Sequence, residues 1–354
     1  MHVLAGRIHD GTRFVEGWLG IDGSSVQLGR GRPPRPPLAE GVVVPCPLNA
    51  HTHAGDAAFA GRAIPRDLAT VVAPPDGLKH RWLRQTPTDE LAAGMRDHLR
   101  AAAGAGMGGI VDFREGGVEG ARLLRAAAPP GFPAIVLGRP DTANPSDAEL
   151  AELVRACDGI GLSAIRDVPW QHARRLARAA RNAGKLFALH ASEGVREPIE
   201  RILDLAPDFV VHMCAATDDD LRALASAGIP LVVTPRANEH WGLSAPFARA
   251  RKAGCVVGLG TDNAMLADGD VFAEARRLRE RGAAPDDALL ESLTLGGWKA
   301  LNREASVNPL APGGVPAFAV FDDLGDPFES VLGARARLSR VVRAAAPEVK
   351  PDAR

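Results

Sequence analysis

Tyrosine is absent from the 354 residues, so no phenol serves as acid, base or nucleophile. Cysteine is scarce: Cys46, Cys157, Cys214 and Cys255 stand far apart, and no CxxC pair occurs. That spacing suggests neither a zinc–thiolate site nor a disulfide framework, and predicts buried free thiols in a reducing cytoplasm. An excess of one charge is also missing. The net charge of −1 makes no general electrostatic case for nucleic acid or a membrane surface. No apolar stretch approaches the roughly 18 residues that span a bilayer. The opening "MHVLAGRIHDG" lacks a basic segment leading into an apolar one, so a cytoplasmic location without a signal peptide is expected.

What is present changes character near residue 42. Residues 1–44 alternate short apolar runs with turn residues, and "GRGRPPRPPLAEG" reads as a loop. Beyond, apolar runs alternate with Ala/Arg/Leu/Glu-rich stretches at helical spacing. Strands are predicted over 42–48, 108–113, 133–138, 159–165, 186–190, 208–212, 230–235 and 255–260. Helices are predicted over 88–104, 118–128, 147–157, 170–183, 196–205, 217–227 and 244–253, with one more after the eighth strand. Eight such units in ~240 residues match a (β/α)8 barrel in count and length, ahead of a doubly wound open sheet. After about residue 305, "PGGVPAFAVFD" and "ARARLSRVVRA" read as strands again. The expected α/β organisation is a catalytic TIM-like barrel over 45–304. A small β-sandwich domain is built from 1–44 plus 305–345, and 346–354 form a flexible tail.

In a strand, residues i and i+2 share a face. His51 and His53, in "PLNAHTHAG", therefore aim together from the end of the first strand, where barrel active sites lie. The fifth strand ends "FALHASEG" with His190, the sixth ends "VVHMC" with His212, and Asp262 follows the eighth in "VGLGTDNAM". Any one of these reads as a structural residue. Five metal-binding side chains at strand ends point to a metal.

This set resembles the amidohydrolase superfamily, and more narrowly its deaminase and chlorohydrolase branch, which includes cytosine, guanine and methylthioadenosine/S-adenosylhomocysteine deaminases. The resemblance spans residues 1 to about 345, and "TPRAN" followed by "ARKAGCVVGLGTDNAM" carries it well. It implies one divalent metal ion, Zn or Fe(II), held by His51, His53, His190 and Asp262. It also implies that Glu193, three residues after His190, protonates a ring nitrogen or leaving amine, and that His212 orients the hydroxide or polarises the substrate. General chemistry agrees: such a ligand set lowers a water pKa toward roughly 7, and Asp262 can take the proton. A carboxyl in a desolvated mouth has a raised pKa suited to an acid. The fourth strand, "GIGLSAIRD", has no lysine, nor have "LGRP" and "FREGG". That argues against the family's two-metal members, which use a bridging carboxylated lysine.

The first βα loop is long, as lids and binding loops are, and its turn can project Lys79, His80 or Trp82 toward the mouth. Arg114, Arg139, Arg166 and Arg236 follow the second, third, fourth and seventh strands. The last resembles a recurrent family arginine. The other three suit an anionic substrate group, or else loop salt bridges with Asp112, Glu115 or Asp167. The expectation is a metal-dependent hydrolase, chiefly an aminohydrolase acting on an amino-substituted purine, pyrimidine or pterin-like ring. Ring opening of a cyclic amide, as in imidazolonepropionase-like relatives, is the alternative. A catalytically silent metal-binding barrel is the third reading, disfavoured because no ligand is missing. The expected partner is a small molecule, with no nucleic acid and no membrane. A homo-oligomer is an expectation by analogy only.

Overall fold

The computed structural model describes residues 1–142, 144–301 and 317–344. Eight parallel strands follow one another around a barrel: Leu48–His53, Gly109–Arg114, Ala134–Gly138, Gly159–Leu162, Leu186–Ala191, Phe209–His212, Leu231–Val233 and Val257–Leu259. The eighth continues past a break as Asp262–Asn263, which pairs with Thr52 and His53 and closes the ring. Closure needs a glycine at the break. A Cβ on Gly260 would lie 2.7 Å from the Cβ of His51 and 2.8 Å from its backbone.

Alternate residues fill the barrel. Leu48, Val111, Phe113, Leu137, Ala188 and Val211 belong to one buried cluster inside it. That packed plug leaves the C-terminal strand ends as the place for chemistry. The helices bury their apolar stripes against the outside of the strands. Trp170–Asn182, for instance, buries Ala173, Leu176, Ala177 and Ala180, the i, i+3, i+4, i+7 set of one face. Capping boxes start Asp147–Ala156, through Ser146 and Glu149, and Asp218–Ser226, through Thr217 and Asp220.

The run predicted as the first barrel strand, 42–48, is divided. Ala39–Pro45 belongs to a second sheet, and the barrel strand begins at Leu48. Pro45 and Pro47 lack backbone donors and interrupt the ladder between the two. The predicted 196–205 helix starts at Ile199, after Pro198, because the Glu197 carboxylate turns back to accept from the Ser192 amide. The fourth strand ends at Leu162 and passes into a tight turn over Ile165–Asp167.

Both chain ends meet in one six-stranded sheet, in the order Leu338–Arg343, Ala317–Phe321, Ala39–Pro45, His2–His9, Phe14–Asp22, Ser25–Gly29. Both of its faces bury apolar residues. Val42, Val44 and Phe321 join the barrel's core, whereas Leu4, Ile8, Leu19, Val43 and Phe318 form a core of their own. The tail expected over 346–354, and residues 305–316, lie outside the described residues. All four cysteines are free thiols. Among the described residues no helix is long and apolar enough to cross a membrane.

The π-helical turn Ser292–Gly296 packs its last residue directly on the eighth strand. A Cβ on Gly296 would sit 2.0 Å from the carbonyl oxygen of Val257. Backbone cannot yield as a flexible side chain does. Gly296→Ala is therefore expected to destabilise the barrel by ~1–3 kcal/mol, read as a lower urea midpoint with an unchanged m-value.

Candidate metal centre and active site

A regular first strand would point His51 and His53 away from the cavity, because Leu48 and Ala50 already face the barrel interior. The register instead slips between Asn49 and Thr52 where the strand pairs with the second one. One extra residue inverts the alternation and turns both imidazoles inward. His190 faces inward by ordinary alternation after Leu186 and Ala188. His212 and Asp262 are turned by the backbone, at φ +77° and +63°, conformations that non-glycine residues rarely adopt. Ser192, next to Glu193, has φ +46°. Strained residues cluster here at the strand ends, as they do at functional sites.

His51, His53 and His190 can each offer a ligand atom to one point, as can His51, His212 and Asp262. His51 Nε2 lies 3.2 Å and His53 Nε2 3.6 Å from Asp262 Oδ1. The Nδ1 atoms of His53 and His190 donate to the carbonyls of Phe113 (3.0 Å) and Leu162 (2.9 Å). Both Nε2 atoms therefore carry lone pairs, yet they face each other at 3.2 Å. Both nitrogens of His51 are buried without a hydrogen-bond partner. A cation between these groups satisfies all of them at once, and the carbonyl-bound Nδ1 atoms are the usual support behind metal-binding histidines.

The charge states fit as well. Burial pushes the His51 imidazole down to about 4 and that of His212 to about 3, and lowers His190 well below its ordinary value. Burial alone would raise Asp262, but the close approach of His51 and the other surrounding imidazoles outweigh it and hold the carboxyl below its usual range. Neutral imidazoles and an ionised carboxylate are the forms that bind metal. Glu193 goes the other way, raised well above its ordinary value by burial and then by the negative charge of Asp262. Its Oε1 lies 3.7 Å from His212 Nδ1 and has no hydrogen-bond partner. Thr234 donates to Asn238 Oδ1, and the Asn238 amide donates to His212 Nδ1 at 3.2 Å. That chain places the His212 proton on Nε2, which is buried and unpartnered. A cavity of about 310 Å³ opens above, lined among others by His53, His190, Glu193, His212 and Asp262.

Comparison with known proteins gives the site its relatives. The profile of the amidohydrolase family matches residues 42–350. The chain belongs to the amidohydrolase family. An uncharacterized protein of Methanocaldococcus jannaschii is 33% identical over 286 residues, 75% of this chain and 74% of its own length. A Methanothermobacter thermautotrophicus protein with the provisional name aminohydrolase is 31% identical over 66% of each chain. An imidazolonepropionase of Bacteroides thetaiotaomicron is 30% identical over 183 residues, 48% of this chain and 42% of the enzyme. Among solved structures, the zinc complex of atrazine chlorohydrolase from Arthrobacter aurescens superposes with TM-score 0.78 at 19% identity, covering 98% of this chain and 94% of that one. An adenosine deaminase from Xanthomonas campestris with bound zinc gives 0.78 at 18%, over 97% and 91%. The protein is a metal-dependent hydrolase acting on carbon–nitrogen bonds, with the family's barrel fold.

The residues expected to face substrate divide in two. Lys79, Arg139 and Arg166 line the amidohydrolase cavity. Arg114, Arg236 and Trp82 are not among its lining residues. Arg114 is buried and held by Glu115 (2.9 Å) and Asp112 (3.5 Å). Arg236 binds Glu274 and Asp268 and fastens Pro235–His240 to the loop after the eighth strand. Trp82 packs on Phe59, with the Arg62 guanidinium 5.0 Å from its ring. In each case a nearer partner claims the side chain. His80 bonds the Val72 carbonyl at 3.1 Å.

Several supporting groups had no distinct sequence signal. Glu115 joins Lys79 (2.9 Å) to His53 Nδ1 (3.2 Å). Asp56 accepts from Asn263 at 2.7 Å and ties the first loop to the eighth. Glu197 clamps the Glu193 loop by accepting from the amides of Ser192 and Arg166. Asn238 lies inside the "TPRAN" run and Glu115 inside "FREGG", so these two were visible in quoted runs, though not in these roles.

Proposed function

We propose that this amidohydrolase is an aminohydrolase with one divalent ion, which replaces the exocyclic amine of a heterocycle by oxygen and releases ammonia. The observation that carries the reading is Glu193, a buried carboxyl raised well above its ordinary value by burial and then by the charge of Asp262, with its Oε1 3.7 Å from His212 Nδ1. Expelling an amine requires a proton donor inside a dry site, and two carboxyls whose environments push them apart divide the roles of acid and base. His51, His53, His190 and Asp262 would hold the ion. The zinc in both solved relatives supports zinc over Fe(II). When bound, such an ion supplies Lewis acidity and a water acidified toward about pH 7.

The chain's own groups supply the rest. Asp262 accepts a proton from the attacking water as its oxygen bonds the amino-bearing carbon. Glu193 gives its proton to the neighbouring ring nitrogen, onto which the carbon–nitrogen π pair is displaced as the carbon is attacked. When the adduct collapses, the carbon–nitrogen bond breaks, the proton held by Asp262 leaves on the amine as ammonia, and the adduct's hydroxyl proton returns to Glu193. The Nε2–H of His212 donates to the developing oxyanion, and needs no reorganisation to do so.

The similarity to imidazolonepropionase favours a second reading, in which the same water attacks a ring carbonyl and opens a cyclic amide. Ammonia separates the two. Zinc-loaded and Fe(II)-loaded protein, screened over aminated purines, pyrimidines and pterins, is expected to release one ammonia per turnover. Ring opening of a cyclic amide without ammonia would favour the second reading. No turnover with either set would overturn both.

A further inference from the structure

The catalytic cavity has a neighbour. A second chamber of about 320 Å³ lies beside it, and the two share Pro74, Arg139, Ser163 and Asp167 as lining residues. The side chamber is mainly apolar, with Pro75, Leu83, Pro140, Leu162, Val168 and Leu176 among its walls. None of the groups assigned to the reaction reaches it. Arg139 stands in the shared partition and lines both spaces.

The guanidinium of Arg139 is poorly partnered for its burial. Its Nε is buried without a hydrogen-bond partner among the described residues. The nearest carboxylate oxygen is Glu115 Oε1 at 3.8 Å. That carboxylate already serves Lys79 at 2.9 Å, Arg114 at 2.9 Å and His53 at 3.2 Å. Arg166 also lines the catalytic cavity, but it is two-fifths exposed and rests 3.9 Å from each of Asp167 and Glu197. The other cation on the wall, Lys79, is occupied by Glu115 and Asp56. Arg139 is therefore the group on this wall with a planar fork to spare, and carboxylate or phosphate is what that fork fits. The side chamber's acids leave it so: no ion pair joins Asp141 to Arg139 among the described residues, and Asp167 accepts from the Ala164 amide. His80 and His172, also in the chamber, are lowered by burial and are neutral near pH 7.

We propose that Arg139 divides a two-part binding site: the reacting heterocycle sits in the catalytic cavity, and an apolar arm ending in or passing a carboxylate or phosphate lies against Arg139 and into the side chamber. This rests on the aminohydrolase reading for the identity of the ring, but not for the arm. The two chambers together hold roughly twice the volume of the first alone. A bare ring leaves the second one unfilled and the Arg139 Nε unpaired, so the substrate is an acid-bearing derivative of a heterocycle.

The test uses the metal-loaded protein and matched substrates for each ring: bare, with a neutral pentyl arm, and with five-carbon arms ending in carboxylate or in phosphate. For the ring that turns over, an acidic-arm member is expected to exceed the bare ring about 100-fold in kcat/KM. Arg139→Gln is expected to erase most of that ratio through KM rather than kcat, and Arg139→Lys to restore part of it. Val168→Trp, which narrows the side chamber, is expected to shrink the ratio for every armed compound. Whichever acidic arm gives the larger ratio names the anion. A bare ring equal to the acidic members, or an Arg139→Gln defect confined to kcat, would overturn the proposal. If no ring turns over, the aminohydrolase reading fails and the arm is tested by itself. Pentanoate or pentyl phosphate should then raise the melting temperature of the wild type and not of Arg139→Gln, and absence of any shift would overturn the subsite.

Discussion

Glu193→Gln is expected to lower kcat by roughly 10²–10⁴-fold while metal content stays at the wild-type level. Glutamine keeps the volume and a hydrogen-bond donor. It cannot pass a proton to a ring nitrogen or recover one for the leaving amine. Glu193 is not among the groups whose atoms converge on the candidate metal point, so the ion has no reason to leave. The pH profile makes the prediction sharper. Burial, then the charge of Asp262, raises the Glu193 pKa well above its ordinary value. The raised value extends the acid form toward neutrality, and kcat should fall as pH rises through it. In Glu193→Gln the alkaline limb should vanish from what activity remains. An unchanged alkaline limb in the variant would place the proton donor elsewhere.

The same shift has a consequence for stability. A carboxyl whose folded pKa is raised contributes stability that is fully present below its unfolded value and lost as pH rises through the folded one. Glu193→Gln carries no such proton, so the variant should gain on the wild type as pH rises from the ordinary carboxyl range through the raised value, as read by denaturant midpoints. Function here stores a cost in the fold, and the substitution that abolishes one relieves the other.

The strand ends were legible in the sequence because they obey local rules. Helical and strand periodicity placed the units, and the histidines and aspartate sit at run ends where a barrel exposes them. The orientation of His51 and His53 was not legible. Alternation says only that the two share a face, and the bulge that turns that face inward depends on pairing with a strand some sixty residues on. The division of 42–48 followed from Pro45 and Pro47, which were visible but outweighed by the apolar run. The arginines divided for a related reason. Periodicity places Arg114, Arg139, Arg166 and Arg236 equally at strand ends, but which carboxylate reaches each first is decided by tertiary packing. Glu274 and Asp268 lie more than thirty residues from Arg236 in the chain. Only Arg139 and Arg166 were left without a close claimant.

Removing the metal is expected to damage the fold as well as the reaction. Chelation of purified protein should abolish turnover and lower the melting temperature by roughly 5 °C, the size expected for a chain of this length when a ligand present at about a thousand times its Kd is lost. The reason is the orphaned set of groups that the cation satisfies. Without it, the Nε2 lone pairs of His53 and His190 oppose each other at 3.2 Å, and His51 has two buried nitrogens with no partner. None of them can escape by protonation at neutral pH where burial has lowered the imidazole, as it has for His51 and His190. Asp262→Asn separates cage from chemistry. The amide keeps the shape but not the charge, so bound zinc measured by atomic emission should fall at least tenfold in affinity. The variant also removes the charge that helps raise Glu193. Its residual activity should therefore show an alkaline limb displaced to lower pH, a shift that loss of the ion alone would not produce. A wild-type protein that melts identically with and without chelator, and holds neither zinc nor iron, would mean that these side chains converge for some purpose other than binding a cation.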